Sequence, residues 1–196
     1  MIYLLGLISF LIGSIPVGLI VARVKGIDLR KVGSGNIGAT NVLRAMGKGP
    51  ALITLAGDML KGFLPVIISS SFLNDTLSIG IIGLVAILGH DFSLFLRFRG
   101  GKGVATSIGV LLAYSPFVAI LTILLWIIIV FMSRYSSMGA IVSFILLPLN
   151  IYVFDYSYEK FVISIFITIL LLFKHRENIG RLLTGQEPKI GERIRE

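Results

Sequence analysis

The stretch VATSIGVLLAYSPFVAILTILLWIIIVFM, residues 104–132, decides how this chain is laid out. It is 29 residues of nearly unbroken apolar character. That is long for one helical span of about 20 residues and short for two. Around it lie five further apolar runs: Met1–Val24, Ala51–Leu73, Leu77–Phe98, Ser137–Phe154 and Tyr158–Phe173. Periodicity does not resolve the long run, because a helix among lipid and other helices is apolar on every side. The basic residues do. They gather in 23–48, in 97–102 and after 174, whereas the turns at 74–76 and 155–160 carry Asp75, Asp155 and Glu159. If the long run turns back at Tyr114-Ser115-Pro116, every basic residue except Lys61 and Lys160 falls on one side, as the positive-inside rule prefers.

The expected fold is therefore all-α and integral to a membrane, one domain over residues 1–196. It has seven transmembrane helices, the N-terminus outside and the C-terminus cytoplasmic. The fourth helix, Val104–Tyr114, would rise only about 16 Å at 1.5 Å per residue, so it must start below the surface or be enclosed by its neighbours. The first run has no basic N-terminal region and no small-residue cleavage signature, and is expected to stay as a span.

Composition sets the outer limits. Of 196 residues, 56% are hydrophobic and 14% charged, with mean hydropathy +0.96, net charge +8 and pI near 10.0. So basic a chain with so little wet surface is neither a soluble enzyme nor a nucleic-acid binder. There are no cysteines, which removes disulfides, thiolate nucleophiles and thiolate metal sites. Two distant histidines make a dedicated metal site a poor reading.

Three polar constellations remain, all on the basic side. The first is Gly33-Ser34-Gly35-Asn36-Ile37-Gly38-Ala39-Thr40-Asn41 with Arg44. It contains G-x-G-x-x-G, but no strand precedes it and no βαβ unit surrounds it, so a dinucleotide reading fails. Small residues let backbone N–H groups approach an anion, and an arginine fork suits phosphate. The bland alternative is a polar loop with a snorkelling arginine. The second is Gly89-His90-Asp91 followed by Arg97 through Gly100-Gly101-Lys102-Gly103-Val104-Ala105-Thr106. It is not a Walker loop, since Gly103 follows Lys102, yet it puts an ammonium and free N–H groups at a helix start. The plainer reading gives Arg97 and Arg99 to topology and His90 to helix packing. The third is His175-Arg176-Glu177-Asn178-Ile179-Gly180-Arg181 with Gly185 and Glu187, in which His175 and Asn178 share a helix face. Its plain reading is a basic juxtamembrane tail that includes Lys189, Arg193 and Arg195. Within a span, Asp58 and Lys61 stand at i, i+3, as an ion pair or as cavity residues.

Basic, amide-rich and hydroxyl-rich segments beside apolar helices point to a lipid-phosphate enzyme. The His-x4-Asp pair of acyl-CoA-dependent acyltransferases is missing after both His90 and His175. An anion transporter and a lipid phosphatase are the rivals. The first lacks a repeated half or paired broken helices, the second a phosphatase motif around either histidine.

Taken together, the three constellations resemble the signature motifs of the PlsY family, the bacterial acyl-phosphate:glycerol-3-phosphate acyltransferases. Asp58-x-x-Lys61-Gly62 and Gly89-His90 also match in order. The resemblance implies a bacterial inner-membrane enzyme with its active site near the cytoplasmic face. It implies acyl transfer from acyl phosphate to the 1-hydroxyl of glycerol 3-phosphate, giving 1-acylglycerol 3-phosphate and orthophosphate. No cofactor and no obligate protein partner is implied. It assigns Ser34, Arg44, Lys102, His175 and Asn178 to catalysis. Substrate contacts fall to Gly33, Gly35, Asn36, Thr40, Asn41, Lys61, Gly101, Gly103 and Arg181, with Asp58 and His90 behind them. Whether His175 or a substrate phosphate is the base stays open.

Overall fold

A computed structural model describes residues 1–191, so Arg193 and Arg195 lie outside the described residues. The elements are α1 (Ile2–Ser14), α2 (Val17–Val24), α3 (Ala39–Met46), α4 (Lys48–Ser69), α5 (Thr76–Asp91), a 3-10 turn (Leu94–Leu96), α6 (Val104–Tyr114), α7 (Pro116–Ser133), α8 (Ser136–Ile145), α9 (Leu147–Phe154), α10 (Tyr158–Lys174) and α11 (Arg176–Leu183). No strand occurs among the described residues.

The long run breaks at the expected place. α6 ends at Tyr114, Ser115 leaves the helical conformation at φ -152 and ψ 75, and α7 starts with Pro116 at its first turn, where a missing N–H costs nothing. The elbow is pinned by Asp155, which accepts from Ser115 Oγ (2.5 Å) and Lys160 Nζ (2.7 Å). Two further runs are less straight than their sequences suggest. Met1–Val24 is interrupted at Ile15-Pro16, and Ser137–Phe154 is the α8–α9 pair, bent by 43°.

Four segments are long and apolar enough to cross a membrane: Ile2–Val24, Lys48–Ser69, Thr76–Leu96 and Pro116–Ser133. The bent pair makes a fifth if it counts as one span. α6, with 11 residues, and α10, with 17, are shorter. The lipid-facing character is plain on α7, where Phe117, Ile120, Leu124, Ile127, Phe131 and Met132 are all exposed. α6 is the opposite. It is buried from Thr106 to Leu111 and again at Tyr114, so its shortness is met by enclosure.

That enclosure depends on glycine. A Cβ at Gly62 of α4 would run into the Thr106 carbonyl of α6, and one at Gly109 of α6 into the Met59 carbonyl of α4. Each helix thus offers a bare strip to the other's backbone, the way helices pack in lipid, where close van der Waals contact rather than a hydrophobic force draws them together. Val66, Val110, Leu111, Phe144, Ile167 and Leu171 fill the remaining space. The result fixes the N-terminal end of α6, and with it the loop that precedes it.

Candidate functional site

Three chain segments meet at one end of the bundle around a cavity of about 700 Å³. The first runs from residue 25 to α3. Gly33 and Gly35 adopt φ +60 and +67, a left-handed conformation that side chains resist, and they coil the chain back on itself. Asn41, 1% exposed, holds the coil. Its Nδ2 donates to the carbonyls of Leu29 (3.1 Å), Val32 (3.0 Å) and Asn36 (2.8 Å), and its Oδ1 accepts from Ser34 N–H (3.0 Å). The Asn41 amide donors are therefore committed to the loop backbone rather than left for a ligand. Ser34, Asn36, Thr40 and Arg44 line the cavity. Thr40 Oγ1 meets Ser136 Oγ at 3.1 Å, and Arg44 Nη2 donates to the Pro188 carbonyl at 2.9 Å.

The second segment is the loop before α6. Gly100 N–H donates to the Asp91 carbonyl (3.2 Å) and Gly101 N–H to the His90 carbonyl (3.0 Å), so the loop folds onto the end of α5. Gly101 lies flat on the His90 imidazole, where a Cβ would collide with the ring. Gly103 enters α6 at φ +74. Lys102 is thereby aimed into the cavity, and its ammonium donates to Asn178 Oδ1. Burial, helped by the Arg181 charge, lowers Lys102 to about 8, against the pull of Glu187 and Glu177.

The third segment is the α10–α11 junction and the tail after it. His175 is 3% exposed, and its Nδ1 lies 2.9 Å from the Leu171 carbonyl. That contact requires the proton on Nδ1 and leaves Nε2 as an acceptor. Burial lowers His175 to about 4 despite this hydrogen bond, so the ring is neutral at ordinary pH. Asn178 is oriented from behind, its Nδ2 donating to Glu187 Oε1 at 2.7 Å. Glu187 also accepts from Ser137 Oγ (2.6 Å) and Arg181 Nε (2.8 Å). Burial pushes this carboxyl up, but the three hydrogen bonds and the Arg181 charge outweigh it and hold Glu187 below its ordinary range.

Of the residues expected from sequence, Ser34, Asn36, Thr40, Asn41, Arg44, Asp58, His90, Lys102, Gly103, His175 and Asn178 all line this cavity. Gly33, Gly35 and Gly101 shape its walls without lining it. Lys61 departs from expectation. It lies behind the cavity floor, with its ammonium 2.9 Å from Asp58 and donating to the Ile15 carbonyl at 2.8 Å, beside the Pro16 break. His90 Nδ1 approaches the same Asp58 oxygen at 3.7 Å. Arg181 likewise grips Glu187 and does not line the cavity. Ser136, Ser137, Trp126 and Lys48 line it without having been singled out, and Glu187 lines it although it was given no role. Glu187 stood inside the third motif, but the Gly185 turn at φ +70 that brings it back has no helical spacing to reveal it. The far wall is apolar, with Leu52, Leu55, Met59, Ile108 and Phe144. Among the described residues no three His, Asp or Glu side chains converge as metal ligands.

The Glycerol-3-phosphate acyltransferase family model matches residues 3–185. A glycerol-3-phosphate acyltransferase of Thermus thermophilus is 45% identical over 194 residues, covering 96% of this chain and 94% of the relative. One from Aquifex aeolicus is 45% identical over 180 residues, covering 91% and 94%. Two crystal structures of PlsY, an integral membrane glycerol 3-phosphate acyltransferase, share the fold. Its glycerol 3-phosphate form has a TM-score of 0.93 at 42% identity, covering 97% of this chain and 96% of that one. Its lysophosphatidic acid form has a TM-score of 0.91 at 41% identity, covering 97% and 95%.

Proposed function

The chain belongs to the glycerol-3-phosphate acyltransferase family and is an integral membrane acyltransferase, and from that premise we propose the reaction its cavity performs. The 1-hydroxyl of glycerol 3-phosphate attacks the carbonyl carbon of an acyl phosphate. A C–O ester bond forms, the acyl C–O(P) bond breaks, and the hydroxyl proton leaves with orthophosphate. The product is 1-acylglycerol 3-phosphate. The observation that carries this reading is the convergence of Arg44, Lys102, Asn178 and Ser34 at the polar end of a cavity whose other wall is apolar. One end suits two phosphates and the other an acyl chain.

The residues divide the work by charge. Lys102 and Arg44 offset the repulsion between two anionic substrates, and Ser34 and Asn178 add neutral donors to the phosphate oxygens and the developing oxyanion. Asn41 maintains the coil that presents Ser34. Neutral His175, with Nε2 as acceptor, orients the attacking hydroxyl. A ring that resists protonation down to about pH 4 is a weak base, and the phosphate leaving group takes the proton. The Asp58–Lys61–His90 cluster supports the Lys102 loop from below.

The layout we infer has seven spans: α1–α2, α4, α5, α6, α7, α8–α9 and α10. The N-terminus is outside, the cavity faces the cytoplasm, and the membrane is the bacterial inner membrane. One-sided basic charge and the turn at Ser115 support it. The test of function is orthophosphate release by purified protein from palmitoyl phosphate. Release must depend on glycerol 3-phosphate and accompany formation of lysophosphatidic acid. Equal turnover with acyl-CoA as sole donor overturns the donor assignment. Glycerol 3-phosphate uptake by proteoliposomes without phosphate release points to transport instead.

A further inference from the structure

A second concavity, of about 410 Å³, lies outside the cavity described above and shares no lining residue with it. It is a furrow between α2 and the 3-10 turn. Pro16, Leu19, Ile20 and Val24 line one side and Phe95 and Leu96 the other, with Arg23 as the one charged residue of the lining. Beyond Leu96 the chain makes an unusual turn. Arg97 and Phe98 both adopt left-handed backbone, at φ +52 and +61, a conformation that bulky side chains disfavour. Phe98 N–H donates to the Ser93 carbonyl at 2.9 Å and Arg99 N–H to that of Leu96 at 3.1 Å, which holds the turn in place. The conformation leaves Phe95 and Phe98 each 58% exposed, with Arg97 and Arg99 exposed beside them. Arg23, Lys25, Arg97 and Arg99 make no side-chain hydrogen bond or ion pair among the described residues.

The geometry points to a binding site for an anionic phospholipid of the surrounding bilayer, with an acyl chain in the furrow and its phosphate on Arg23. Two observations select this occupant. The furrow lining is apolar except for one cation, Arg23, which matches one lipid tail and one headgroup. That cation is uncommitted among the described residues, whereas a pure topology signal needs no groove beside it. The arginine fork suits a phosphodiester, and choline would bring a positive charge to the same rim.

Native mass spectrometry of the detergent-purified full chain, titrated with dioleoyl phosphatidylglycerol or dioleoyl phosphatidylcholine, tests the site. Wild type retains one phosphatidylglycerol in preference to phosphatidylcholine. Arg23→Gln weakens phosphatidylglycerol about fivefold. Ile20→Trp, which fills the furrow from a half-exposed position without altering charge, weakens it comparably. Lys31→Gln removes a charge outside the furrow, next to Asp28 at 3.9 Å, and has the smaller effect. Equal retention of both lipids, equal loss in Arg23→Gln and Lys31→Gln, or unchanged binding in Ile20→Trp each overturns the proposal. The outcome is independent of the acyl-transfer reading, because the furrow and the catalytic cavity share no lining residue.

Discussion

Asn41→Asp is the sharpest perturbation of the candidate site, because it preserves shape and reverses hydrogen bonding. The wild-type amide nitrogen donates to three carbonyls, those of Leu29, Val32 and Asn36. A carboxylate there presents an acceptor to three acceptors. The amide nitrogen shares two protons among these three carbonyls, and each lost donor is worth about 1 kcal/mol, so the coil loses about 2 kcal/mol before repulsion is counted. At about 1.4 kcal/mol per factor of ten, that is about a thirtyfold shift against the ordered coil. Ser34 N–H keeps its acceptor, so the loss falls on the segment 29–36 rather than on α3. Orthophosphate release measured across a glycerol 3-phosphate range should show kcat/KM reduced at least about tenfold, with the loss chiefly in KM. Asn41→Ala, which removes the donors without adding charge, should be less impaired. A variant Asn41→Asp with kcat/KM within about twofold of wild type and unchanged thermal stability would refute the assignment of Asn41 as the brace of this loop.

Further expectations follow from the same geometry. Lys102, lowered to about 8 by burial, should impose a basic limb on the pH profile of kcat/KM, with activity falling as its charge is lost above that pH. Lys102→Arg should displace that limb upward even where it slows turnover. His175, lowered to about 4, leaves the folded chain refusing a proton that the unfolded chain binds. Thermal stability should therefore fall as pH drops from 6.5 toward 4, by up to about 3 kcal/mol, and His175→Gln should remove that share of the fall. Gly109→Leu should separate α4 from α6 and abolish folding or turnover, read by size-exclusion elution and orthophosphate release, because its Cβ would meet the Met59 carbonyl. In this cysteine-free chain, a cysteine at exposed Tyr156 should label from outside and one at exposed Lys31 only from the cytoplasm. The opposite pattern would discard the seven-span layout.

Much of the fold was legible from local chemistry. Pro116 after Ser115 marks a helix start, since proline has no N–H to contribute to a preceding turn. The shortness of α6 likewise required an enclosed helix. Less visible were the Pro16 break and the α8–α9 bend, because an apolar run reads the same straight or kinked. At the site, residue types identified Arg44, Lys102, His175 and Asn178 as chemistry-bearing groups. They could not tell a ligand-facing group from a brace. Asn41 and Lys61 looked as available as their neighbours, and only their partners, Leu29, Val32 and Asn36 for one, Asp58 and Ile15 for the other, show what they hold.

The division has a physical origin. Charge parity, hydropathy and turn residues act through solvent and the neighbouring few positions. They suffice to specify a helical membrane chain, its break at Ser115 and the residue types of the candidate site. Glu187 oriented on Asn178, Gly101 laid flat on His90, and Lys102 aimed into one cavity depend on backbones approaching within contact distance across long stretches of chain. Such approaches are decided by which small residues face each other once α4, α5, α6 and α10 are packed. That is a property of the assembled bundle, and no single segment carries it.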